Sequence, residues 1–175
     1  PCEHGIPKVQ VAAVGPVMMK VAAEECDGVM LHAFCTGKYL QEVILPRLNQ
    51  GLENSGRLRE DFEISGGGFV VTGADDEAVS KMFEWVRMRV GFYGSTPAYW
   101  PVCEQHGWED LGHKLNDMSK KGQWEQMTQE VSDDIVHEFC AVGRFDQIAD
   151  KIRGRFAGAV DVIAMPDNTP SDLLQ

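Results

Sequence analysis

A strand–helix–strand pattern near the start of the chain most constrains what it can fold into. Val9 to Val14 is short, apolar and rich in β-branched residues, which is typical of a buried strand. Gly15-Pro16 follows, and proline favours a first helical turn because its missing N–H would have had no partner there. A helical repeat of apolar residues then leads to Asp27-Gly28 and a second apolar run, Val29 to Ala33. Such a unit builds parallel sheets and β/α barrels.

Two further apolar runs predict strands at Glu63 to Thr72 and at Ala159 to Ala164. The first contains three consecutive glycines, which predict a bulge or a close approach of two backbones. Apolar residues at helical spacing predict helices between the strands, over residues 38–54, 75–90, 108–115, 124–131, 132–140 and 147–156. Pro46 should kink or split the first of these helices.

Four parallel strands with intervening helices are compatible with two folds. One is an open, doubly wound sheet, and the other is half of an eight-stranded barrel. The long helical excursion over residues 107–156, before the last strand, is unusual for an open sheet and favours the barrel. We therefore predict an α/β domain over residues 1–165, consisting of four parallel β/α units with extra helices before the last strand. Residues 166–175 form a polar tail.

Composition and charge exclude several classes of protein. A net charge of −11 argues against nucleic-acid binding, although local basic residues could still hold one phosphate. No apolar run reaches the roughly 20 residues that span a bilayer, and no signal peptide is recognisable before Pro1, so a cytoplasmic location away from membranes is expected. The histidines lack metal-ligand spacing, and no metal site is predicted. The odd set of scattered cysteines indicates free thiols, at Cys2, Cys26, Cys35, Cys103 and Cys140.

The candidate binding residues lie where strands end. The turn over residues 12–16 combines a glycine with the free N–H groups of a helix start, so it can hold an anion such as a cofactor phosphate. A plain strand-to-helix turn is the alternative. His32 and Thr36 follow the second strand, where barrel enzymes place reactive groups. A histidine hydrogen-bonded to the backbone is an equal alternative there, and Tyr93 belongs to an aromatic cluster that could be either core or pocket wall.

Several motifs resemble the luciferase-like monooxygenase superfamily, in particular its deazaflavin (coenzyme F-420)-dependent oxidoreductases. The resemblance covers residues 7–164, and its most specific part is G-F-Y-G-S-T-P-A-Y at 91–99. The other motifs are A-A-V-G-P at 12–16, A-A-E-E-C-D-G at 22–28, P-R-L at 46–48, H-G-W at 106–108 and V-G-R-F-D-Q-I at 142–148. Arg144 departs from the family pattern, which has serine or threonine at that position.

The resemblance implies a (β/α)8 TIM barrel of about twice this length, of which this chain is the C-terminal half. It implies coenzyme F-420 or FMN as cofactor and a small-molecule substrate. The cofactor-binding residues would be Ala12, Ala13, Val14, Gly15 and Pro16. His32, Thr36 and Tyr93 would lie nearer the ring or the substrate. The first half of such enzymes supplies several catalytic side chains, so the catalytic residues are not identified here.

The resemblance implies a flavin- or deazaflavin-dependent oxidoreductase or monooxygenase, of which this chain would be a C-terminal fragment that lacks full activity alone. The alternative is a catalytically silent half-barrel that self-associates without cofactor. In either case half a barrel leaves strand edges and an apolar face open. We therefore expect a homo-oligomer or a missing N-terminal half as partner.

Overall fold

The predicted strand–helix–strand unit is confirmed in the computed structural model, which describes residues 5–167 and 169–170. It consists of β1 (Gln10–Ala13), α1 (Pro16–Glu25) and β2 (Gly28–Leu31), and the two strands are parallel neighbours. Gly15 precedes α1 with a φ of 81°, a conformation that favours glycine. Cys2 and most of the predicted polar tail lie outside the described residues.

The helix after β2 is split, as Pro46 predicted. It consists of α2 (Gly37–Tyr39), a π-helical turn (Leu40–Ile44) and α3 (Leu45–Ser55). The π-helical turn ends just before Pro46, which lies in the first turn of α3, a position that tolerates proline. The Thr36 side chain caps α2 by accepting a hydrogen bond from the Tyr39 N–H at 3.1 Å.

The prediction of one strand over Glu63 to Thr72 is wrong, because two strands occupy this segment. They are β3 (Glu63–Gly66) and β4 (Phe69–Val71), and they belong to different sheets. Gly66, Gly67 and Gly68 all have positive φ, which ends the first strand and redirects the chain. The predicted close backbone approach is confirmed, since an added Cβ at Gly66 would lie 2.4 Å from the Leu31 carbonyl oxygen.

The predicted strand over Ala159 to Ala164 is confirmed in position and direction but wrong in extent. Among the described residues, this segment forms a single parallel bridge, between Ser65 and Val162. The Val162 carbonyl accepts the Gly66 N–H at 2.9 Å. This segment therefore lies beside β3 and follows the spatial order β1, β2, β3. Because the neighbouring glycines turn β3 away after Gly66, the ladder cannot lengthen.

A second small sheet was not predicted. β4 pairs in parallel with β5 (Cys140–Val142), a segment whose first residue the sequence assigned to a helix. That helix ends one residue earlier, at Phe139, because Cys140 is extended with a φ of −137°.

The remaining helices are α4 (Asp76–Gly94), α5 (Trp100–Glu104), α6 (Glu109–Lys120), α7 (Trp124–Gln129), α8 (Asp133–Phe139) and α9 (Ile148–Phe156). Within the described ranges, none of the helices is both long and apolar enough to cross a bilayer.

The three-stranded sheet has one covered face and one open face. Helix α1 packs on β1 and β2, and α3 packs on α1. The covered face carries Val11, Ala13, Val29, Leu31 and Ile64. The open face carries Gln10, Ala12, Met30, Glu63 and Ser65. Met30 is 52% exposed, and the concavity beside it has a volume of about 420 Å³. This is the arrangement expected of a barrel interior that the described part of the chain encloses on one side only.

Candidate functional site

The carboxyl ends of the parallel strands bring the predicted site residues to one edge of the sheet. Ala13 pairs with Leu31, so Val14 and His32 are the next residues on neighbouring strands. The turn that follows β1 is open, since no atom lies within 4 Å of a Cβ added at Gly15. No side chain caps α1. Because a helix start leaves its first N–H groups without intrahelical partners, this turn can receive an anion.

His32 lies in an aromatic cluster with two tyrosines. Its ring centroid is 4.5 Å from that of Tyr93, edge to face, and 4.8 Å from that of Tyr99. The His32 Nδ1 accepts the Phe34 N–H at 3.0 Å. In the neutral imidazole the proton is therefore on Nε2, which is left as a donor. Partial burial lowers the pKa of His32, so the neutral form predominates near neutral pH.

Thr36 lies in a second group, with His106 and Trp108. The fully buried Thr36 hydroxyl is 2.7 Å from the His106 Nε2. The His106 ring stacks on Trp108 with centroids 4.1 Å apart, and Gly107 turns the chain between them with a φ of 72°. Burial is the main cause that lowers the pKa of His106. A buried hydroxyl with two partners is rigidly held, so this group fixes the loop after β2 against the segment after α5.

Phe34 connects the two groups. Its ring is 5.6 Å from that of Tyr99 and stacks on Phe139 at 4.5 Å, and Phe139 lies 6.2 Å from Trp108. Phe34 and Phe139 are both buried. Tyr93 and Tyr99 of the aromatic motif are partly exposed, and they pack against the buried Phe34 ring, which, like that of Phe139, lies outside the motif.

The cysteine next to this site is not suited to nucleophilic chemistry. Burial raises the pKa of the Cys35 thiol to about 12, so the thiol stays protonated. Burial likewise raises the pKa of Cys140 to about 12.

The Lys38 ammonium donates a hydrogen bond to the Gln105 carbonyl at 2.7 Å, so it links α2 to the residue that follows α5.

The structure therefore brings His32 together with Tyr93, and places Thr36 in the adjoining group. Among the described residues, no hydrogen bond or ring contact joins the 12–16 turn to these two groups, although it follows the neighbouring strand. Sequence reasoning did not identify His106 as a site residue. The H-G-W motif was its signal, since a histidine and a tryptophan on either side of a turn glycine can stack.

The two histidines predict a pH dependence of stability. Because their pKa values are lower in the folded than in the unfolded chain, the unfolded chain binds protons more readily. The free energy of unfolding should therefore fall as the pH drops from about 6.5, the ordinary histidine pKa, through the lowered values. Urea unfolding at several pH values measures this. The double variant His32→Gln, His106→Gln should show a shallower fall, and an unchanged slope would contradict the prediction.

Two known proteins are similar in sequence to nearly the whole chain. A 5,10-methylenetetrahydromethanopterin reductase of Archaeoglobus fulgidus is 27% identical over 164 residues, which covers 89% of this chain and 47% of that protein. An uncharacterized protein of Mycobacterium tuberculosis is 43% identical over 161 residues, which covers 92% of this chain and 47% of that protein. The chain thus spans about half the length of these relatives.

Two solved structures share the fold. The coenzyme F-420-dependent tetrahydromethanopterin reductase of Methanopyrus kandleri superposes with a TM-score of 0.71 at 24% identity, over 89% of this chain and 44% of that one. An F-420-dependent secondary alcohol dehydrogenase gives a TM-score of 0.61 at 15% identity, over 91% and 43%. These likenesses confirm the predicted α/β barrel class. The profile of the luciferase-like monooxygenases matches residues 1–161, and the chain belongs to that family.

Proposed function

We propose that this chain is the C-terminal half of a deazaflavin-dependent oxidoreductase that uses coenzyme F-420 to reduce a small organic substrate. The observation that carries the proposal is the uncapped, open turn at Gly15 on the same sheet edge as the His32 cluster. Relatives named as methylenetetrahydromethanopterin reductases, one of them coenzyme F-420-dependent by name, support the deazaflavin over FMN.

The turn over residues 12–16 fits a phosphate. In the described part of the chain, the N–H groups of Val17 and Met18 donate to no backbone acceptor, while the next N–H, that of Met19, bonds the Gly15 carbonyl. Two free donors at a helix start, beside a residue without a side chain, let an anion approach the backbone closely. Ala12, Ala13 and Val14 would lead the chain to this point.

The ring and substrate would lie over the open face of the sheet. When bound, a reduced deazaflavin supplies a hydride. The chain's own groups would shape the space around it, with His32 offering a neutral Nε2–H donor and Tyr93 a partly exposed phenol. Thr36 would hold the loop in place through His106. Such positioning is the protein's main contribution to cofactor chemistry.

Fluorescence titration tests the proposal. Coenzyme F-420 and FMN are each titrated into the 175-residue chain and into a longer polypeptide that joins it to an N-terminal half-barrel of the luciferase-like family. We expect saturable binding of coenzyme F-420 by the longer polypeptide, at least about ten-fold tighter than that of FMN, and far weaker binding by the chain alone. No binding of either cofactor would overturn the proposed function, and tight binding by the chain alone would overturn the half-barrel proposal.

The open sheet face leads to a prediction about assembly. Met30 is 52% exposed beside an open concavity, and among the described residues no strand pairs with the outer edge of β1, a combination that a small chain rarely leaves in water. We expect the isolated chain to self-associate, because a twofold pair can cover the same face twice. Light scattering over a wide concentration range checks this. A particle of 19.4 kDa at every concentration would contradict the prediction.

A further inference from the structure

A cleft lies between the split helix that follows β2 and the last helix, α9. It has a volume of about 700 Å³. One wall consists of Gly37 in α2 and Gln41 in the π-helical turn, and the other is one face of α9. All three residues of β5 also contribute to the lining. None of the lining residues belongs to the 12–16 turn or to the groups around His32 and His106, so the cleft is separate from the proposed cofactor site.

A glycine lies on each wall of the cleft although the fold does not require one there. Gly37 and Gly154 are both helical without a positive φ, and no atom lies within 4 Å of a Cβ added at either position. Glycine is among the poorest helix formers, so Gly154 weakens the interior of α9. What the two glycines provide is space, because a wall without a side chain lets another backbone approach closely.

The cleft also contains a strand edge without a partner. Among the described residues, β5 pairs with β4 alone. The Gly143 N–H donates to the Val71 carbonyl of β4 at 3.1 Å. Successive residues of a strand direct their backbone groups to opposite edges, so the N–H and C=O of Val142 point away from β4. Neither group has a backbone partner in the described part of the chain. Such an edge is a template for one more strand.

Two cations of the cleft have no carboxylate partner. Lys151 and Arg155 form no ion pair within the described ranges. Asp150, the carboxylate of the lining, is instead 2.9 Å from Arg153. The Arg155 Nη2 donates to two backbone carbonyls, whereas its Nη1 has no partner among the described residues and stays accessible to solvent. Uncompensated cations in a cleft of a protein with a net charge of −11 favour an anionic ligand.

We propose that this cleft binds an extended, acidic peptide segment of a partner protein, which adds a third strand to the β4–β5 sheet. The peptide backbone would pair with Val142 and pass the two glycine positions, and its carboxylates would meet Lys151 and Arg155. A small anion would need only the two cations. A free strand edge between glycine-bearing walls is what a polypeptide backbone requires, so these features favour a peptide. The proposal is independent of the proposed function.

Fluorescence anisotropy tests the proposal with a labelled, end-capped peptide. The probe has about six residues, the length of a typical strand, and alternates valine with aspartate. We expect saturable binding to the 175-residue chain. The analogue with an N-methylated backbone cannot pair with the edge, and the analogue with asparagine for aspartate lacks the charge. Each should bind at least about ten-fold more weakly. Equal affinity of the N-methylated analogue, or displacement of the probe by inorganic phosphate as readily as by unlabelled peptide, would overturn the proposal.

Gly154→Leu fills the cleft from α9 and should weaken binding of the probe at least about ten-fold. Its thermal midpoint should be unchanged or higher, because leucine is the better helix former. Ala149→Leu is the matched control, since Ala149 is exposed on the same helix but outside the lining, and it should keep the affinity. The absence of saturable binding by the unaltered chain, or full affinity in the Gly154 variant, would overturn the proposal.

Lys151→Gln tests the charge. It should weaken binding of the probe about three-fold, the scale of one exposed charge pair. Lys121→Gln changes the net charge equally at the C-terminal end of α6 and should leave the affinity unchanged. Equal losses in the two variants would show that the net charge of the protein, and not the cleft, attracts the peptide, which would also overturn the proposal.

Discussion

Replacing Gly66 by alanine should destabilise the fold by about 3–5 kcal/mol. Gly66 has a φ of 85°, which costs any other residue energy, and the new Cβ would lie 2.4 Å from the Leu31 carbonyl oxygen. That oxygen belongs to the backbone of a central strand and cannot move without disturbing the β2–β3 ladder. Urea unfolding monitored by circular dichroism measures the loss, which is a large part of the 5–15 kcal/mol typical of a domain.

Gly122→Ala separates the two causes. Gly122 has a φ of 70°, but no atom lies within 4 Å of its added Cβ. It therefore carries the backbone strain without the contact, and we expect a loss of about 1–2 kcal/mol. Equal losses in the two variants would show that the close approach to Leu31 has no energetic weight.

Replacing Gly15 by valine should weaken the binding of coenzyme F-420 by about 1–3 kcal/mol, the scale of losing a charge-assisted hydrogen bond. No atom lies within 4 Å of a Cβ added at this position, so we expect the new side chain to occupy the approach to the Val17 and Met18 N–H groups. Fluorescence titration of the cofactor-binding polypeptide measures the change.

The control for this variant is Gly122→Val, because it introduces the same side chain at a similar positive φ in a turn outside the site. It should lower stability and leave cofactor affinity unchanged. Unchanged affinity in the Gly15 variant would remove the 12–16 turn from the site, and equal losses of affinity in both variants would assign the effect to stability alone.

The sequence predicted those parts of the fold whose causes are local. The β1–α1–β2 unit follows from a short apolar run, a proline and a glycine break, and the split at Pro46 follows from a missing N–H. The glycines at 66–68 predicted a close approach, but not that the chain would change sheets there. Nor could sequence show that Cys140 extends to pair with Phe69, since that pairing depends on a distant segment.

The same division applies to the candidate site. His32 and Thr36 were predicted because they follow a strand, and this placement needs only the periodicity of β2. The pairing of Thr36 with His106 was not predicted, because it joins two loops that are distant in sequence. Tertiary packing also decides whether an aromatic residue lies in the core or on a pocket wall. Phe34 is buried, whereas Tyr93 is partly exposed.

The separation of the two sheets has a consequence for the order of folding. In the larger sheet, each strand pairs with the next in the chain, so loops close over short spans and the ladder can grow stepwise from β1 to β3. In the smaller sheet, Phe69 must find Cys140 across five intervening helices. Because contacts of long sequence separation slow folding, we expect β4 and β5 to gain protection from hydrogen exchange last during refolding, after α4–α8 have assembled. The β1–β3 sheet would then form first, and β4 and β5 would pair only after it.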